Sequence, residues 1–323
     1  MSIFVTGGSG FVGGALIDRL VADGEEVWAL ARSPRAVHIV AARGARPVKG
    51  SLDDVDALRA GMRGASLVVH AAACLTAGPR ERREMSATNV AGTQQVLDAA
   101  IVTGVPTLVH VSTEQVVLGR HPLVRANESW PRPQRHASWY GSTKADAESI
   151  VLAASDLDIR AVAVRPRFVW GRGDPTLLPQ IVEATRTGTF RWIGGGDYLT
   201  STCHVDNVVE GILCAAKRGA PGTAYFLTDG PPQQFRTFVE SLLTTSGVPP
   251  PTKSVPRAIA LAVGAGVELG WGLTRRRGPA PLERATLAVI GQECTVDDSR
   301  ARAEIGYRPK VTVEQGLASL RSP

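Results

Sequence analysis

The sequence is poor in the residues that build metal centres and disulfide frameworks. Its 323 residues include only four cysteines, which stand far apart and form no CxxC pair. They are Cys74, Cys203, Cys214 and Cys294. That spacing indicates neither a zinc site nor a small disulfide-stabilised fold. We therefore expect no bound metal and a reducing compartment.

A long apolar run and a targeting segment are also missing. The first residues enter a strand-like stretch without a basic leader, an apolar core or a small-residue cleavage site. The longest apolar stretch, residues 258–273, is short for a bilayer span and contains Glu268. These features predict a cytoplasmic protein without an integral membrane segment, in which residues 258–273 form a core or substrate-lining helix.

Runs of like charge are nearly absent, although the net charge is +6 and the isoelectric point is near 9.4. The one basic run, Arg275 to Arg277, has no aromatic platform beside it and belongs to no nucleic-acid motif. We expect it to be a solvated loop, with contact to a membrane surface as a lesser alternative. No nucleic-acid partner is predicted, and a small-molecule substrate is expected instead.

What the sequence does contain is an alternation of apolar runs and helical patterns through its first half. The apolar runs are residues 3–5, 27–31, 67–70, 108–112 and 162–164. This alternation predicts an α/β fold with a doubly wound parallel (Rossmann) sheet, whose ligand lies at the carboxyl ends of the strands.

The rhythm changes after Pro166, where loop signals and proline-rich joints replace the alternation. A smaller, mostly helical substrate-binding region toward the C-terminus is therefore expected. The predicted division gives residues 1–168 to the dinucleotide-binding domain, with 201–229 returning to it and Tyr225 to Leu227 rejoining its sheet. Residues 169–200 and 230–323 form the substrate-binding region.

A glycine-rich turn joins the first predicted strand to the first predicted helix. Gly7, Gly10 and Gly13 form GxxGxxG, one residue longer than the GxGxxG pattern. Such glycines permit a tight turn, a close approach of pyrophosphate to the backbone and close packing of helix on strand. The turn predicts a nucleotide site, the alternative being that it is only a turn.

The end of the second predicted strand indicates which nucleotide. A free ribose 2′-hydroxyl usually meets Asp or Glu at this place, whereas a 2′-phosphate meets Arg. Here the residues are Ala31, Arg32 and Ser33, so no carboxylate would repel a phosphate and Arg32 offers a charged planar fork. NADP(H) is favoured and NAD(H) stays open; the alternative for Arg32 is a solvated surface residue.

Tyr140 and Lys144 are four residues apart and would share one face of a helix. A phenol titrates near pH ~10, but a neighbouring ammonium and a cationic nicotinamide would both favour its phenolate. Thr113, after the strand ending at Ser112, is placed to exchange a hydrogen bond with a substrate oxygen. These three residue types suit hydride transfer between a nicotinamide and a carbinol carbon.

Eight short motifs in order along the chain resemble the extended short-chain dehydrogenase/reductase family. The motifs are TGGSGFVG (6–13), HAAA (70–73), NVAGT (89–93), VST (111–113), YGSTK (140–144), VRP (164–166), HVDNV (204–208) and GYRP (306–309). Within that family the sequence is most similar to the 3β-hydroxysteroid dehydrogenase and dihydroflavonol reductase branch. The resemblance implies an oxidoreductase, with a homodimer as an expectation, and leaves the substrate open.

Site residues follow from the same resemblance. It implies that Thr113, Tyr140 and Lys144 are catalytic, with Tyr140 as the acid/base. The residues implied to bind the cofactor are Thr6, Gly7, Gly10, Phe11, Val12, Gly13, Arg32, Leu52, Ala71, Ala72, Ala73, Lys144, Pro166 and Val169.

Two departures from the family pattern affect these assignments. Gly50, Ser51 and Leu52 stand where many relatives have Gly-Asp-Leu against the adenine, so one adenine contact is weakened or replaced. The segment 113–119 is one residue longer than usual, and Glu114 would face the substrate in place of Thr113 if the strand end shifts. Glu114, Trp170 and Trp192 are the candidate substrate residues, with Phe190, Trp271 and residues 258–273 as further pocket lining; the alternative for the aromatic residues is that they are core.

Three functions remain under comparison. The first is an NADP(H)-dependent oxidoreductase that interconverts a ketone and a secondary alcohol on a mostly apolar small molecule. The second is an NAD-dependent nucleotide-sugar epimerase, whereas a dehydratase is disfavoured because the amide of Gln115 cannot carry its proton. The third, a non-enzymatic nucleotide sensor, is disfavoured because Tyr140 and Lys144 are both present.

Two further polar positions are expected to be structural. His204 and Asp206 suggest a metal or catalytic pair, but the family resemblance implies that HVDNV starts a helix, with Asp206 or Asn207 making capping and loop hydrogen bonds. Asn89 is predicted to bridge backbone groups near the nicotinamide.

Overall fold

The computed structural model describes residues 1–75, 81–273 and 284–321. Fifteen strands lie within this part of the chain: β1 Ser2–Thr6, β2 Glu26–Ala31, β3 Arg46–Lys49, β4 Leu67–His70, β5 Thr107–Val111, β6 Leu123–Ala126, β7 Arg160–Pro166, β8 Val169–Trp170, β9 Trp192–Ile193, β10 Leu199–Thr200, β11 Cys203–His204, β12 Thr223–Leu227, β13 Gln233–Gln234, β14 Ser254–Val255 and β15 Cys294–Val296.

The same part of the chain forms twelve α-helices: α1 Phe11–Ala22, α2 Pro34–Ala42, α3 Val55–Met62, α4 Arg82–Ser86, α5 Gly92–Val102, α6 Trp139–Ala153, α7 Leu177–Arg186, α8 Val205–Arg218, α9 Phe235–Thr245, α10 Arg257–Leu273, α11 Arg284–Ile290 and α12 Val313–Arg321. A π-helical turn, Ala87–Ala91, joins α4 to α5, and a 3-10 turn, Glu114–Val116, follows β5.

Seven parallel strands form the central sheet in the order β3-β2-β1-β4-β5-β7-β12. The direction in which successive strands are added reverses between β1 and β4, so the crevice for a ligand lies at their carboxyl ends. The predicted doubly wound parallel sheet is therefore confirmed. The return of Tyr225 to Leu227 to this sheet is confirmed as well, because β12 pairs with β7.

Helices cover both faces of the sheet, which explains why its strands are apolar throughout rather than alternating. On one face, Leu16 and Ile17 of α1 and Ile212 of α8 belong to one buried cluster. On the other face, Leu58 of α3 and Val96 of α5 belong to a second cluster. This packing fixes the strand ends that carry the candidate site residues.

The remaining strands form small sheets beside the central one. The largest has four strands in the order β13-β10-β15-β6. Its edge strand β6 comes from residues within the predicted dinucleotide-binding domain, while β15 comes from the C-terminal part of the chain. The division at residue 168 stays a prediction, and residues 123–126 belong by pairing to the smaller sheet.

No helix in the described ranges is long and apolar enough to cross a membrane. Residues 258–273 do form most of a helix, α10, as the apolar pattern predicts. The basic run Arg275 to Arg277 lies outside the described residues, and so do the side chains of Glu268 and Trp271.

Candidate active site

The glycine turn closes tightly against the end of the neighbouring strand. Gly7 has φ +74°, and a Cβ there would lie 2.6 Å from the backbone nitrogen of Ala72. A Cβ on Gly13 would overlap the carbonyl oxygen of Gly7. Both positions therefore require glycine, because a side chain on Gly7 would collide with the loop after β4 and one on Gly13 would collide with the turn itself.

Helix α1 begins at this turn with its N-terminus open. Its N-cap residue is Gly10, so no side chain accepts a hydrogen bond from the first N–H groups, and the first turn carries no acidic residue. The free N–H groups of a helix start favour an anion. Ala71, Ala72 and Ala73 lie across the crevice and are partly exposed, so the donor set and the space fit a dinucleotide pyrophosphate.

Arg32 follows β2 at the same edge of the sheet. Its side chain is exposed and makes no hydrogen bond or ion pair with any described residue. Ser33 instead caps α2 by accepting a hydrogen bond from the N–H of Ala36 at 3.2 Å. Arg32 is thus a free guanidinium beside the crevice, while Leu52 packs against Gly92 at the start of α5.

Thr6 and His70 lie beneath the crevice in a buried chain of hydrogen bonds. The Thr6 hydroxyl lies 2.6 Å from Nδ1 of His70, and Nε2 of His70 lies 2.9 Å from the Thr93 hydroxyl. Thr93 in turn donates to the carbonyl of Asn89 at 2.6 Å. Burial, with the charge of Lys144, lowers the pKa of His70 to about 3, so its ring is neutral. The Thr6 side chain is therefore hydrogen-bonded within the protein. Pro166, at the end of β7, is buried.

Asn89 bridges backbone groups as predicted. Its amide accepts from the N–H of Cys74 at 2.7 Å and donates to the carbonyl of Cys74 at 3.0 Å. It also donates to the hydroxyl of Thr143 on α6 at 3.0 Å. Asn89 thereby ties the loop after β4 to the helix that carries Tyr140.

Tyr140 stands in the first turn of α6. Ser138 caps this helix by accepting from the N–H of Gly141 at 2.8 Å, which fixes where the turn begins. Burial, followed by the nearby Glu114 carboxylate and Cys74, raises the pKa of Tyr140 above its ordinary value. The phenol is therefore protonated at neutral pH when no cationic cofactor lies beside it.

Lys144, one helical turn further on, is only 1% exposed. Its ammonium group donates to the carbonyl of Val111 at 2.8 Å and lies 2.9 Å from Nε2 of His110. Burial lowers the pKa of Lys144 to about 7, against the opposing charge of Glu148. These contacts hold the Lys144 side chain against β5, while its backbone lies on the same helix as Tyr140.

Glu148 on α6 is a buried carboxylate that binds residues at the ends of two strands of the central sheet. It accepts from the hydroxyl of Ser112 at 2.6 Å and from two nitrogens of Arg165 at 2.9 and 2.7 Å. Burial alone would raise the pKa of Glu148, but the Arg165 and Ser112 hydrogen bonds and the nearby arginines lower it. A buried carboxylate therefore links the ends of β5 and β7 to the Tyr140 helix.

Thr113 and Glu114 occupy the turn after β5, with exposed fractions of 7% and 3%. The Thr113 hydroxyl donates to Oε2 of Glu114 at 2.7 Å, and Arg167 donates to Oε1 at 2.7 Å. Arg167 also donates to the carbonyl of Val289 on α11 at 2.8 Å. Glu114 is thus tied to its neighbours on both oxygens, and Thr113 is oriented by it.

The candidate substrate residues Trp170 and Trp192 lie in the protein interior, each 1% exposed. Trp170 donates to Asp229 at 2.8 Å, and Trp192 donates to the carbonyl of Pro251 at 2.7 Å. Because their indole groups are satisfied and their rings packed, the geometry favours the alternative that both are core residues.

HVDNV starts a helix, as predicted, but its cap is a different residue. The cap of α8 is His204, whose Nδ1 lies 3.3 Å from the N–H of Asp206. Asp206 therefore does not cap the helix. Asn207 makes the expected loop hydrogen bonds, accepting from the N–H groups of Lys310 and Val311.

Residues 4–257 match the model of the 3-beta hydroxysteroid dehydrogenase/isomerase family. The chain belongs to the 3-beta hydroxysteroid dehydrogenase/isomerase family. This places it within the extended short-chain dehydrogenases/reductases, as the motifs predict.

Two relatives in this family are similar over nearly their whole length. A 4-hydroxy-2-methyl-3-oxo-4-farnesyl-3,4-dihydroquinoline-1-oxide ketoreductase from Stigmatella aurantiaca is 45% identical over 321 residues, covering 99% of this chain and 96% of the relative. A 2-alkyl-3-oxoalkanoate reductase from Stenotrophomonas maltophilia is 35% identical over 331 residues, covering 100% and 99%.

Solved structures agree with the fold. The crystal structure of gox2253 has a TM-score of 0.79 at 26% identity and covers 99% of this chain and 98% of that one. MoeE5 in complex with UDP-glucose and NAD has a TM-score of 0.75 at 25% identity, covering 99% and 97%. This member of the 3-beta hydroxysteroid dehydrogenase/isomerase family is therefore an oxidoreductase that acts on CH–OH groups with a nicotinamide dinucleotide.

Several residues of the site were not among the predicted site residues. His110, Glu148 and Arg165 are buried polar groups that hold Lys144, Ser112 and the Tyr140 helix in place. Two signals were available, since Glu148 follows Lys144 at helical spacing and Arg165 belongs to the VRP motif. The pairing of Glu148 with Arg165, 17 residues away, depends on strand order and is invisible in the sequence.

The buried ion pair at this site gives a stability prediction. Glu114→Gln keeps an oxygen for Arg167 but removes the charge, so we expect the free energy of unfolding to fall by about 2 kcal/mol. Glu240→Gln removes the charge from a partly exposed pair with Arg236 and should cost less than about 1 kcal/mol in urea titrations. Equal effects of the two changes would contradict a structural role for the buried pair.

Proposed function

We propose that the protein is an NADP(H)-dependent ketoreductase in which Tyr140 protonates the oxygen of a ketone in the reducing direction. The observation that carries this proposal is the placement of Tyr140 and Lys144 on α6, with Lys144 held at the carboxyl end of β5 beside Thr113. When bound, the nicotinamide cofactor supplies or accepts the hydride.

Tyr140 suits the role of acid. Its raised pKa keeps the phenol protonated and ready to donate at neutral pH. For the reverse reaction the phenolate is needed, and the ammonium group of Lys144 on the same helix face favours it. One residue thereby serves as acid in reduction and as base in oxidation.

Thr113 orients the substrate oxygen chiefly as a hydrogen-bond acceptor. Its own hydroxyl hydrogen is directed to Glu114, and its oxygen accepts from the N–H of Gln115 at 3.3 Å. One lone pair is therefore left for a substrate hydroxyl or the Tyr140 phenol. This arrangement matches the alcohol better than the ketone. We therefore place Glu114 behind Thr113 as its orienting partner, not in direct contact with substrate.

NADP(H) is the proposed cofactor because Arg32 is exposed and unpaired among the described residues at the edge where the second phosphate would lie. The open N-terminus of α1, together with Gly7, Gly10 and Gly13, would hold the pyrophosphate. Lys144 would hold the ribose hydroxyls with the N–H that its protein partners leave free.

The substrate class is inferred from the two relatives. Both names contain a 3-oxo group beside a carbon that carries an alkyl substituent at position 2, and the first also carries a farnesyl chain. We propose a ketone flanked by an alkyl-substituted carbon on a mostly apolar molecule. Initial rates on 2-alkyl-3-oxoalkanoates and on their 2-unsubstituted analogues test it, and equal kcat/KM for both sets would contradict it.

Alcohol oxidation should depend strongly on pH. Because the pKa of Tyr140 is raised, the phenolate fraction grows tenfold for each pH unit below that pKa. We expect kcat/KM for oxidation to rise between about pH 6 and 9 with a slope below about 1 in log units, because Lys144, whose pKa is about 7, loses its charge over the same range, while reduction does not rise. A flat profile for oxidation would contradict Tyr140 as the base.

A nucleotide-sugar epimerase is the second candidate, supported by the similarity to MoeE5 in complex with UDP-glucose and NAD. Epimerases of this type hold NAD tightly, and the free Arg32 speaks against that preference. Purified protein titrated with NADPH and NADH by nicotinamide fluorescence separates the two. Tighter NADPH binding supports the ketoreductase, whereas copurified NAD with conversion of UDP-sugars would establish the epimerase.

A further inference from the structure

His110 is a buried polar residue that the proposed chemistry does not use. It lies on β5 with none of its surface exposed, and its Nε2 is 2.9 Å from the ammonium nitrogen of Lys144. The His110 and His70 ring centroids lie 5.2 Å apart. Nδ1 of His110 has no hydrogen-bond partner among the described residues.

The protonation state of His110 follows from these contacts. Burial, followed by the charge of Lys144, lowers the pKa of His110 well below its ordinary value, so the ring is neutral. An ammonium group only donates hydrogen bonds, and a neutral imidazole has one acceptor nitrogen and one N–H. Nε2 is therefore the acceptor from Lys144, and the unpartnered Nδ1 carries the hydrogen.

Two of the three N–H bonds of the Lys144 ammonium group are used within the protein. One points to Nε2 of His110 and one to the carbonyl of Val111. One remains for a ligand above the strand end. The buried Nδ1–H of His110 has no partner among the described residues, which is unfavourable. An apolar residue at position 110 would avoid that cost. The hydrogen bond that His110 accepts from Lys144 offsets it.

We propose that His110 is a positioning residue, whose neutral imidazole anchors the Lys144 ammonium group on β5 and directs its third N–H toward the bound dinucleotide. This inference rests on the proposed function only in assigning Lys144 to the cofactor ribose. The anchoring of Lys144 itself is a property of the protein without ligand.

The charged and titratable groups around Lys144 come from four elements. His110 faces it from β5, and His70 on β4 lies behind His110. Glu148 lies one turn further along α6 and favours the ammonium form, while itself pairing with Arg165 on β7 and with Arg132. Burial disfavours the charged form of Lys144, and the imidazole acceptor stabilises that form. Removing the acceptor should therefore lower the pKa of Lys144.

The test is to follow the titration of Lys144 directly. The chain has five lysines, so protein labelled with ¹³C at lysine Cε gives five NMR signals. Lys144→Met identifies one of them. In the wild type we expect its midpoint near the pKa of about 7. His110→Leu should lower the midpoint by about one unit or more, and His110→Gln, which keeps an acceptor at similar reach, should largely restore it.

A matched pair and a control keep the result interpretable. His110→Met has the length of His110→Gln without a strong acceptor, and it replaces His110→Leu should that variant unfold. His38→Leu removes an exposed imidazole on α2 and should leave the midpoint unchanged. Far-ultraviolet circular dichroism and melting curves establish that each variant is folded.

NADPH affinity provides the second readout. We expect the dissociation constant to rise about tenfold in His110→Leu or His110→Met and less than about threefold in His110→Gln. An unchanged Lys144 midpoint in folded His110→Met would overturn the positioning role. A shifted midpoint in a protein that reduces no ketone would retain the role of His110 and overturn the proposed function alone.

Discussion

Replacing Tyr140 by Phe should lower kcat for ketone reduction by at least about 10³-fold, because it removes the group that protonates the substrate oxygen. The ring remains, and so do the cap of α6 at Ser138 and the anchoring of Lys144. The dissociation constant for NADPH should therefore change by less than about threefold. Steady-state rates and a fluorescence titration on the same preparation give both numbers.

Tyr225→Phe is the matched control for this change. It removes a phenol hydroxyl that is hydrogen-bonded to Glu304, away from the crevice, on the edge strand β12. We expect some loss of stability and unchanged kcat. If Tyr140→Phe kept wild-type turnover, Tyr140 would not be the acid, whatever its effect on stability.

Arg32→Asp should reverse the cofactor preference. The change removes a charged fork from the proposed 2′-phosphate position and supplies a carboxylate that can accept from a ribose 2′-hydroxyl. Loss of about 4 kcal/mol of relative binding energy would move the ratio of NADPH to NADH affinity by about 10³-fold. Titrations with both cofactors at one ionic strength measure it.

The control for that change is Arg59→Asp. Arg59 is an exposed arginine in the last turn of α3, and the change alters the net charge of the protein by the same amount. It should leave the affinity ratio within about threefold of wild type. An equal shift in both variants would attribute the preference to overall charge and not to Arg32.

Much of the fold was accessible from local patterns. The apolar runs gave the strands β1, β2, β4, β5 and β7, and the glycine turn gave the start of α1, because both depend on residues near in sequence. The short strands of the second region were not predicted. They consist of two to four residues each and form through pairing partners far along the chain, such as β6 with β15.

The site divides in the same way. The placement of Tyr140 and Lys144 on one helix and the backbone bridge made by Asn89 could be predicted, because spacing and family motifs carry their geometry. The anchoring of Lys144 by His110 and the pairing of Glu114 with Arg167 could not, since each needs strands that are distant in sequence to lie side by side. The interior positions of Trp170 and Trp192 likewise depend on packing that composition does not encode.

The measurement that tests the central claim most directly is the transfer of deuterium from NADPH labelled at C4 of the nicotinamide to a 2-alkyl-3-oxo substrate. We predict deuterium on the new carbinol carbon, on one face only, detected by mass spectrometry and NMR, and its loss in Tyr140→Phe. A product without deuterium at that carbon, or an unconsumed cofactor with epimerised UDP-sugar, would contradict the account.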